Sequence, residues 1–266
     1  MDPTAKALAR TYSDRVYLDP WEKVLDYQRV LKYAAEHPNA GRTRVGNALE
    51  LPPGRVRGWL NETVPDPVRG INTATEYGWI DPDLHGEAAA ALVELLAHVL
   101  AGGTIPEQRF EVAVSEGRRV GVEEIRAAFE RVGVETRIRH RGVHSRATEV
   151  VSTTDTSVLG RCLVTMGAPR GNKTTIERLP AAVWAVPIDV RREFARIYIA
   201  HRATTWESKA TLRIQEQRPR SYLDDLRRLL AELTGESVTA GDLAVTVSAD
   251  AVRKLGLVRS IAREAT

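Results

Sequence analysis

Cysteine and aromatic residues are scarce in this sequence of 266 residues, which contains one cysteine and has an aromatic fraction of 6%. The single cysteine, Cys162, excludes an internal disulfide and argues against a metal cage built from thiolates, as expected in a reducing compartment. Since Cys162 lies in an apolar helical segment, we interpret it as a core residue.

Long hydrophobic runs are missing as well. The longest apolar segment, residues 88–101, is interrupted by Glu94 and His98, and it is shorter than the about 20 residues that span a bilayer. Residues 1–19 interleave charged and small side chains and lack the apolar stretch of a signal peptide. We therefore expect a cytoplasmic protein without a membrane partner.

The motifs of common active sites are also absent. The six histidines show no His-Glu-x-x-His spacing, no Gly-x-x-x-x-Gly-Lys phosphate loop occurs, and no serine, histidine and acid suggest a triad. From motifs alone we assign no catalytic residue, no metal ligand and no cofactor.

What the sequence does contain is a small excess of basic residues within an ordinary globular composition. Lys and Arg number 38 against 35 Asp and Glu, a formal net charge of +3, and hydrophobic residues make up 43% of the chain. A chain of this length can form two or three compact units. The basic balance is compatible with a polyanionic partner.

In the N-terminal part we predict an arm, residues 1–19, followed by a helix-turn-helix domain, residues 20–80. Apolar spacing predicts a long helix from Pro20 and then two short helices, 42–49 and 53–60, joined by a tight turn. In helix-turn-helix proteins the second of these helices contacts base edges in the major groove. The predicted DNA contacts are the arginines of the two short helices: Arg42, Arg44, Arg55 and Arg57. A generic helical hairpin with solvated arginines is the alternative.

The segment 64–70 contains Pro65 and Pro67. Because proline does not continue a helix, we predict a wing or a linker there. We place the boundary of the helix-turn-helix domain within residues 75–84.

From residue 86 onward, one succession of elements occurs twice: helix, strands, helix, strands, helix. The first copy spans residues 86–169, a linker covers 170–178, and the second copy spans 179–266. The first copy predicts helices at 87–101, 122–132 and 157–166 and strands at 109–115, 135–141 and 147–153. The second predicts helices at 190–201, 222–233 and 249–258 and strands at 209–215 and within 238–247. The duplication predicts an α+β chain with two αββαββα lobes related by a pseudo-twofold axis.

The duplicated block resembles the LAGLIDADG homing endonucleases. The matching segments are 96–105 for the signature helix and its turn, 157–167 for the closing helix, 171–173 leading to Leu179-Pro180, and 194–196 opening the second signature helix. The resemblance implies two signature helices packed side by side and two antiparallel sheets that form a saddle over DNA. A degenerate core of this kind joined to a helix-turn-helix is also similar to the WhiA regulators, in which the order is reversed.

The sequence departs from the family at the ends of the signature helices. Active members carry an Asp or Glu there, and the pair binds the divalent cations used in cleavage. The matching positions here hold Gly102 and Arg202, and neither side chain is a ligand for Mg²⁺. We therefore predict no nuclease activity. A divergent metal-dependent endonuclease is the alternative, and it would use Glu107 or Glu207, just past the two turns.

Alternating residues of the predicted strands define a polar face in each lobe. The predicted DNA contacts on these faces are Arg137, Arg139 and Arg141 in the first lobe and Lys209, Thr211, Arg213 and Gln215 in the second. Arg202, near the pseudo-twofold axis, would replace the charge of a metal or pair with Glu207 or a helix carboxylate. An ordinary solvated sheet face is the alternative.

Together these features predict a sequence-specific, double-stranded-DNA-binding protein, a transcription regulator derived from a homing endonuclease. We expect duplex DNA and the transcription machinery as partners, a nucleoid-associated location, and a monomer with an internal pseudo-dimer or a weak homodimer. Phosphate contacts predict an affinity that falls with salt. In a further alternative, the duplicated core is a scaffold for protein interactions and only the N-terminal unit holds DNA.

Overall fold

The computed structural model describes residues 3–206 and 209–257, apart from the side chains of Thr205, Trp206 and Lys209. The described chain divides into two compact units, Pro3–Asp81 and a larger unit that begins at Pro82. No helix in the described ranges has the length and apolarity needed to cross a membrane.

The regular elements described in the N-terminal unit are all helices. Its helices are α1 (Ala5–Ala9), α2 (Pro20–Glu36), α3 (Arg42–Leu49), α4 (Pro53–Leu60) and α5 (Asp66–Glu76). The carboxylate of Asp19 caps α2 by accepting a hydrogen bond from the backbone N–H of Trp21. Val30, Val45 and Val56 are fully buried, so that α2, α3 and α4 share one core.

Two predictions for this unit are wrong at the level of secondary structure. The segment 64–70 is neither a wing nor a linker, because α5 begins at Asp66 and carries Pro67 in its first turn. A proline is tolerated there, since the first N–H groups of a helix have no partner within the helix. The residues predicted to form an N-terminal arm contain α1, which packs against α5.

The larger unit contains two lobes with the same order of elements. The first lobe consists of α6 (Glu87–Gly102), β1 (Gly103–Thr104), β2 (Ala113–Ser115), α7 (Val122–Arg131), β3 (Thr136–Arg139), β4 (Glu149–Ser152) and α8 (Thr156–Thr165). A short 3-10 turn (Lys173–Thr175) and α9 (Ala181–Ala185) follow. The second lobe consists of α10 (Ile188–Arg202), β5 (Ala203–Trp206), β6 (Lys209–Gln215), α11 (Arg220–Thr234), β7 (Val238–Ala240), β8 (Ala244–Val247) and α12 (Ala249–Lys254).

Both sheets are antiparallel and have equivalent strand orders, β1-β2-β4-β3 in the first lobe and β5-β6-β8-β7 in the second. The predicted α+β class and the pair of αββαββα lobes are therefore confirmed. The second copy was predicted to extend to residue 266, and its final residues, 258–266, lie outside the described part of the chain.

Helices α6 and α10 pack against each other at the centre of this unit. Helix α6 is buried on most sides, through residues such as Leu92, Leu96 and Leu100, because α10 covers one side and the strands and α7 cover others. The pairing of these two helices brings their C-terminal ends together, which places Gly102 and Arg202 in one region.

All three predicted strands of the first lobe are longer than the observed ones, and β4, predicted at 147–153, spans Glu149–Ser152. Strand β2 begins at Ala113 because Phe110 has a φ of 52°, in the left-handed region. Strand β3 ends at Arg139 because His140 has a φ of 60°. Arg141 was predicted to lie on this strand, but it lies in the exposed connection that follows.

Candidate nucleic-acid interface

The polar face of the first sheet is defined by its strand register. Arg137 lies opposite Val151, and Arg139 lies opposite Glu149, which is in turn opposite Ser115. Directly opposed residues project from the same side of a sheet. Arg137, Arg139, Glu149 and Ser115 therefore share one face, as the alternation of the sequence predicts for the two arginines.

Two glutamates that the sequence analysis did not single out neutralise this face. Arg139 donates to Glu111 at 3.1 Å and to Glu149 at 2.9 Å. The guanidinium of Arg137 lies 3.7 Å from a carboxylate oxygen of Glu111. Because each arginine has a carboxylate within reach, the face offers a phosphate little net positive charge.

The polar face of the second sheet has a different composition. Arg213 lies between Thr204 on β5 and Thr246 on β8, and Thr246 lies opposite Thr239 on β7. Leu212 and Ile214 alternate with these positions and are buried. The sequence therefore places hydroxyl groups and one guanidinium together on this side of the sheet.

No ion pair within the described chain involves the side chain of Arg213. Gln215, the next residue on the same side of β6, is exposed. Lys209 was predicted to belong to this face, and its side chain lies outside the description. Unlike the first sheet, the described part of this face carries an arginine that is not neutralised.

The close connection between α3 and α4 in the N-terminal unit depends on a glycine. An added Cβ at Gly46 would lie 2.7 Å from the carbonyl oxygen of Leu51. Glu50 adopts a left-handed conformation with a φ of 56°, and the N–H of Leu51 donates to Gly46 at 2.8 Å. Any side chain at position 46 would force the two helices apart.

The four arginines of these helices have different surroundings. Arg42, Arg44 and Arg57 are exposed and form no ion pair within the described residues. Arg55 is half-buried, donates to the hydroxyl of Tyr17 at 2.8 Å and stacks over its ring at 4.7 Å. The Tyr17 hydroxyl in turn donates to Asp26 at 2.9 Å. Arg55, predicted to contact bases, is therefore already held by its own unit.

Burial, together with the hydrogen bond to Asp26, raises the pKa of Tyr17 to about 12. The hydroxyl keeps its proton at neutral pH and can accept from Arg55 while donating to Asp26. Arg55 thereby connects α4 to the segment that precedes α2.

The end of α6 has no room for an acidic side chain at position 102. A Cβ added at Gly102 would lie 2.6 Å from Nδ1 of His201. Gly117, in the turn that follows β2, lies against the same imidazole, since its Cβ would be 2.5 Å from that nitrogen. The ring of His201 occupies the space into which a carboxylate at position 102 would project.

His201 forms a hydrogen bond across the helix pair. Its Nε2 lies 2.9 Å from Nδ1 of His98, and both residues are buried. Burial lowers the pKa of His98 to about 3, with a smaller contribution from His201. Burial and the nearby Lys173 and Arg202 lower the pKa of His201 to about 4. Both imidazoles are therefore neutral near pH 7, so that one ring donates and the other accepts.

The end of α10 carries an ion pair. Nε of Arg202 lies 2.9 Å from Oε1 of Glu216, which is 5% exposed and also accepts from the Tyr198 hydroxyl at 2.6 Å. Arg202 also donates to the carbonyl of Gln215 at 2.9 Å. We expected Glu207 or a helix carboxylate as the partner, but the partner is Glu216, just after β6. Glu207 lies outside the described residues.

Two further cations, which the sequence analysis did not identify, cap the end of α6. Arg218 is buried, donates to the carbonyl of Leu100 and lies 4.2 Å from the centre of the Tyr222 ring. Nζ of Lys173 lies 3.3 Å from the carbonyl oxygen of Gly103. Cations are favourable here because the last carbonyls of a helix lack partners within it.

Burial and the charges of Arg218 and Arg202 lower the pKa of Lys173 to about 8. The ammonium group is therefore still largely protonated near pH 7, and the ends of the two helices carry an excess of positive charge.

This donor set does not fit a divalent metal ion. Magnesium prefers several oxygen ligands, whereas the carboxylate of Glu216 is already bound by Arg202 and Tyr198. The described ranges contain no group of three or more His, Cys, Asp or Glu side chains placed to hold a metal. Glu107, the other acid considered from the sequence, lies beside Gly171, and its carbonyl accepts from Arg170.

Comparison with family models and with curated proteins finds no match. Among solved structures, the chain is similar to the N-terminal LAGLIDADG domain of DUF199/WhiA, at 13% identity and a TM-score of 0.45 over 65% of this chain and 84% of that one. It is also similar to full-length DUF199/WhiA from Thermatoga maritima, at 8% identity and a TM-score of 0.41 over 67% of this chain and 62% of the other. A third similar structure is the homing endonuclease I-WcaI bound to its DNA recognition sequence, at 11% identity and a TM-score of 0.49 over 76% and 91% of the two chains. These solved structures are of the kind of protein that the sequence resembles.

Proposed function

We propose that this protein binds double-stranded DNA in a sequence-specific manner, regulates transcription, and does not cleave the duplex. The observation that carries this proposal is the polar face of the second sheet. Arg213 lies there between threonines, with Gln215 beside it and the apolar residues of β6 turned to the other side.

The side chains of this face suit a DNA surface. Arginine donates to phosphates and, in pairs of bonds, to guanine in the major groove, while threonine and glutamine contact both backbone and base edges. A two-stranded antiparallel ribbon can enter the major groove. The unneutralised Arg213 would supply attraction to phosphate without first breaking an internal ion pair.

The N-terminal unit supports the same function. Arg42, Arg44 and Arg57 are exposed on the two short helices, where a phosphate or a base edge can reach them without loss of an internal contact. Two DNA-binding modules on one chain raise each other's effective concentration at a long site. Occupancy of such a site is the means by which we expect the protein to regulate transcription.

The absence of cleavage is inferred from the helix ends. His201 fills the space beside Gly102, and Arg202 binds Glu216, so that the two positions that would carry acids in a nuclease provide no metal ligand. The residues present would hold a phosphate group by direct contact with cations.

Selection of bound sequences from random duplexes, followed by footprinting with and without Mg²⁺, tests the proposal. We expect a defined sequence, protection over more than one turn of the duplex, and no effect of the metal. Recovery of random sequences would contradict sequence-specific binding. A linear product from a supercoiled plasmid library in Mg²⁺ or Mn²⁺ would show that the protein is a nuclease.

Arg57→Ala and Arg55→Ala test the contribution of the N-terminal unit. Arg57→Ala should weaken binding without changing stability, by about 1–3 kcal/mol if Arg57 contacts guanine through two bonds. Arg55→Ala should lower the stability of the unit by about 1 kcal/mol, since it removes the bond to Tyr17. Unchanged DNA affinity in both variants would remove this unit from the interface.

One observation favours the alternative of a protein-interaction scaffold for the first lobe. Its arginines are neutralised by Glu111 and Glu149, so that this sheet is less suited to DNA than the second. The length of the footprint distinguishes the two functions. A short protected site that is unchanged by Arg213→Ala would indicate that the N-terminal unit alone holds DNA.

A further inference from the structure

The C-terminal end of α10 borders a cavity of about 450 Å³, and two of the cavity's cations, Lys173 and Arg218, contact carbonyls at the end of α6. This volume lies within the range of sites that hold small ligands. The cavity is lined by Lys173, Thr174, Arg202, Gln215, Glu216, Gln217, Arg218 and Leu243. With the exception of Leu243, every one of these side chains is polar or charged.

The charged groups of this cavity are not balanced. Lys173, Arg202 and Arg218 contribute three positive charges and Glu216 contributes one negative charge, which leaves a formal excess of +2. Glu216 is shared between the two arginines, at 2.9 Å from Arg202 and 3.6 Å from Arg218. Lys173 forms no ion pair with a described residue, and its Nζ lies 3.5 Å and 3.3 Å from the carbonyl oxygens of Ala101 and Gly103. An uncompensated positive charge in a half-buried site is costly.

Arg218 provides a second and independent observation. Its side chain is 2% exposed, and its Nη1 atom is buried without a hydrogen-bond partner among the described residues. Buried polar atoms are normally satisfied, so this unpartnered nitrogen of a residue in the cavity wall is available as a donor to a ligand. A guanidinium group has donors in the geometry that matches phosphate oxygens.

We propose that this cavity binds a phosphate group through Lys173, Arg202 and Arg218. A phosphate monoester dianion would neutralise the excess of +2, and a phosphodiester would neutralise half of it. Thr174 and Gln217, both exposed, and Gln215 can donate to the remaining phosphate oxygens. The low pKa of Lys173 fits this assignment, because an anion in the cavity would favour the charged ammonium.

The phosphate can come from two sources that share this chemistry. Gln215 belongs both to the cavity and to the polar side of β6, so that a backbone phosphate of DNA on that sheet can enter the site. This source rests on the proposed function. A free phosphate or a small phosphorylated ligand is the other source, and it would make the cavity an effector site independent of DNA binding.

The first arm of the test uses inorganic phosphate as the probe. The melting temperature of the full chain is measured in phosphate and in chloride at equal ionic strength, for the wild type, Lys173→Met, Lys173→Arg and a control, Arg192→Gln. Arg192 is exposed on α10 and does not line the cavity, so that the control changes the charge by the same amount. Phosphate should raise the melting temperature of the wild type, Lys173→Arg and the control more than that of Lys173→Met.

The second arm measures affinity for the selected duplex with the same variants. If a backbone phosphate occupies the site, Lys173→Met should lose about tenfold to a hundredfold in affinity relative to Arg192→Gln. A smaller phosphate-dependent rise in melting temperature for Lys173→Met supports a site for free phosphate. A lower duplex affinity for Lys173→Met supports a site for a backbone phosphate. If Lys173→Met equals the control in both arms while its circular dichroism remains native, the proposal is overturned. If the chain binds no duplex, the proposed function fails, and the first arm alone decides whether the cavity binds phosphate.

Discussion

Acidification is expected to destabilise the larger unit through His98 and His201. The two imidazoles are buried and share one hydrogen bond of 2.9 Å between α6 and α10. This bond needs one ring nitrogen without a proton. If both rings were protonated, the bond would be lost and two positive charges would face each other between the central helices.

The sign and size of the effect follow from the pKa values. In the unfolded chain each histidine takes up a proton near its ordinary value of 6.5, whereas the folded values are about 3 and about 4. The unfolded state therefore binds more protons below that value, and stability falls as the pH falls. Above the pKa that the histidines have in the unfolded chain, neither state takes up these protons and the folded state has its full stability. As the pH falls from about 7 to about 5, each histidine lowers the free energy of unfolding by about 2 kcal/mol, which gives about 4 kcal/mol for the pair.

Urea denaturation at a series of pH values measures this loss, with hydrogen exchange of α6 amides used to identify the transition of the larger unit. The wild type is compared with His98→Gln/His201→Gln, in which neither side chain titrates. Because carboxylate titration is common to both proteins, the difference between their curves reports the histidines. His85→Gln is the matched control, since His85 is exposed and should leave the wild-type dependence intact.

The double variant should lose much less stability than the wild type over this pH range. If the two curves are parallel, the histidines are not held neutral in the folded state, and the inferred hydrogen bond between the helices is wrong. If His85→Gln changes the slope as strongly as the double variant, the effect does not arise from burial.

Three further predictions concern the helix ends and the sheet faces. Gly102→Ala should lower the free energy of unfolding by about 1–3 kcal/mol in urea denaturation, because its Cβ would meet a buried imidazole. Gly54→Ala, whose Cβ meets no atom within 4 Å, should leave stability unchanged or raise it by up to about 1 kcal/mol; equal effects at the two glycines would refute the steric reason. Glu216→Gln should cost about 3 kcal/mol by the same measurement, since it leaves buried cations without a counter-ion, and a neutral result would show that they are solvated. In binding titrations, Arg213→Ala should weaken DNA binding by about 1–3 kcal/mol and Arg137→Ala by less than about 1 kcal/mol. The opposite order would show that the neutralising glutamates do not control the contribution of each sheet.

Much of the secondary structure could be predicted because its signals are local. The bounds of α3 and β6 agree with the predicted ones, since the apolar residues of each follow the period of a helix or a strand. The strands next to Phe110 and His140 were predicted too long. Their left-handed backbone conformations leave no mark on the alternation of polar and apolar side chains.

The partners of the charged residues could not be predicted in the same way. Glu111 reaches Arg139 from the segment before β2 and Glu149 reaches it from β4, and Arg218 reaches Leu100 from the other lobe. Such contacts depend on register and on the packing of elements far apart in the chain, and no short pattern encodes either.

The amino-acid sequence by itself determined the duplicated order of elements, the polar and apolar sides of the strands, and the presence of glycine and arginine at positions 102 and 202. It could do so because periodicity and residue identity are properties of a single chain segment. Only the tertiary structure decided that His201 fills the space beside Gly102, that Glu216 binds Arg202, and that Lys173 and Arg218 meet at the same cavity. The first of these contacts exists because α6 and α10 pack side by side, which also pairs His98 with His201, 103 positions away in the chain. The other two form where the segments after α8 and after β6 return to the ends of these helices.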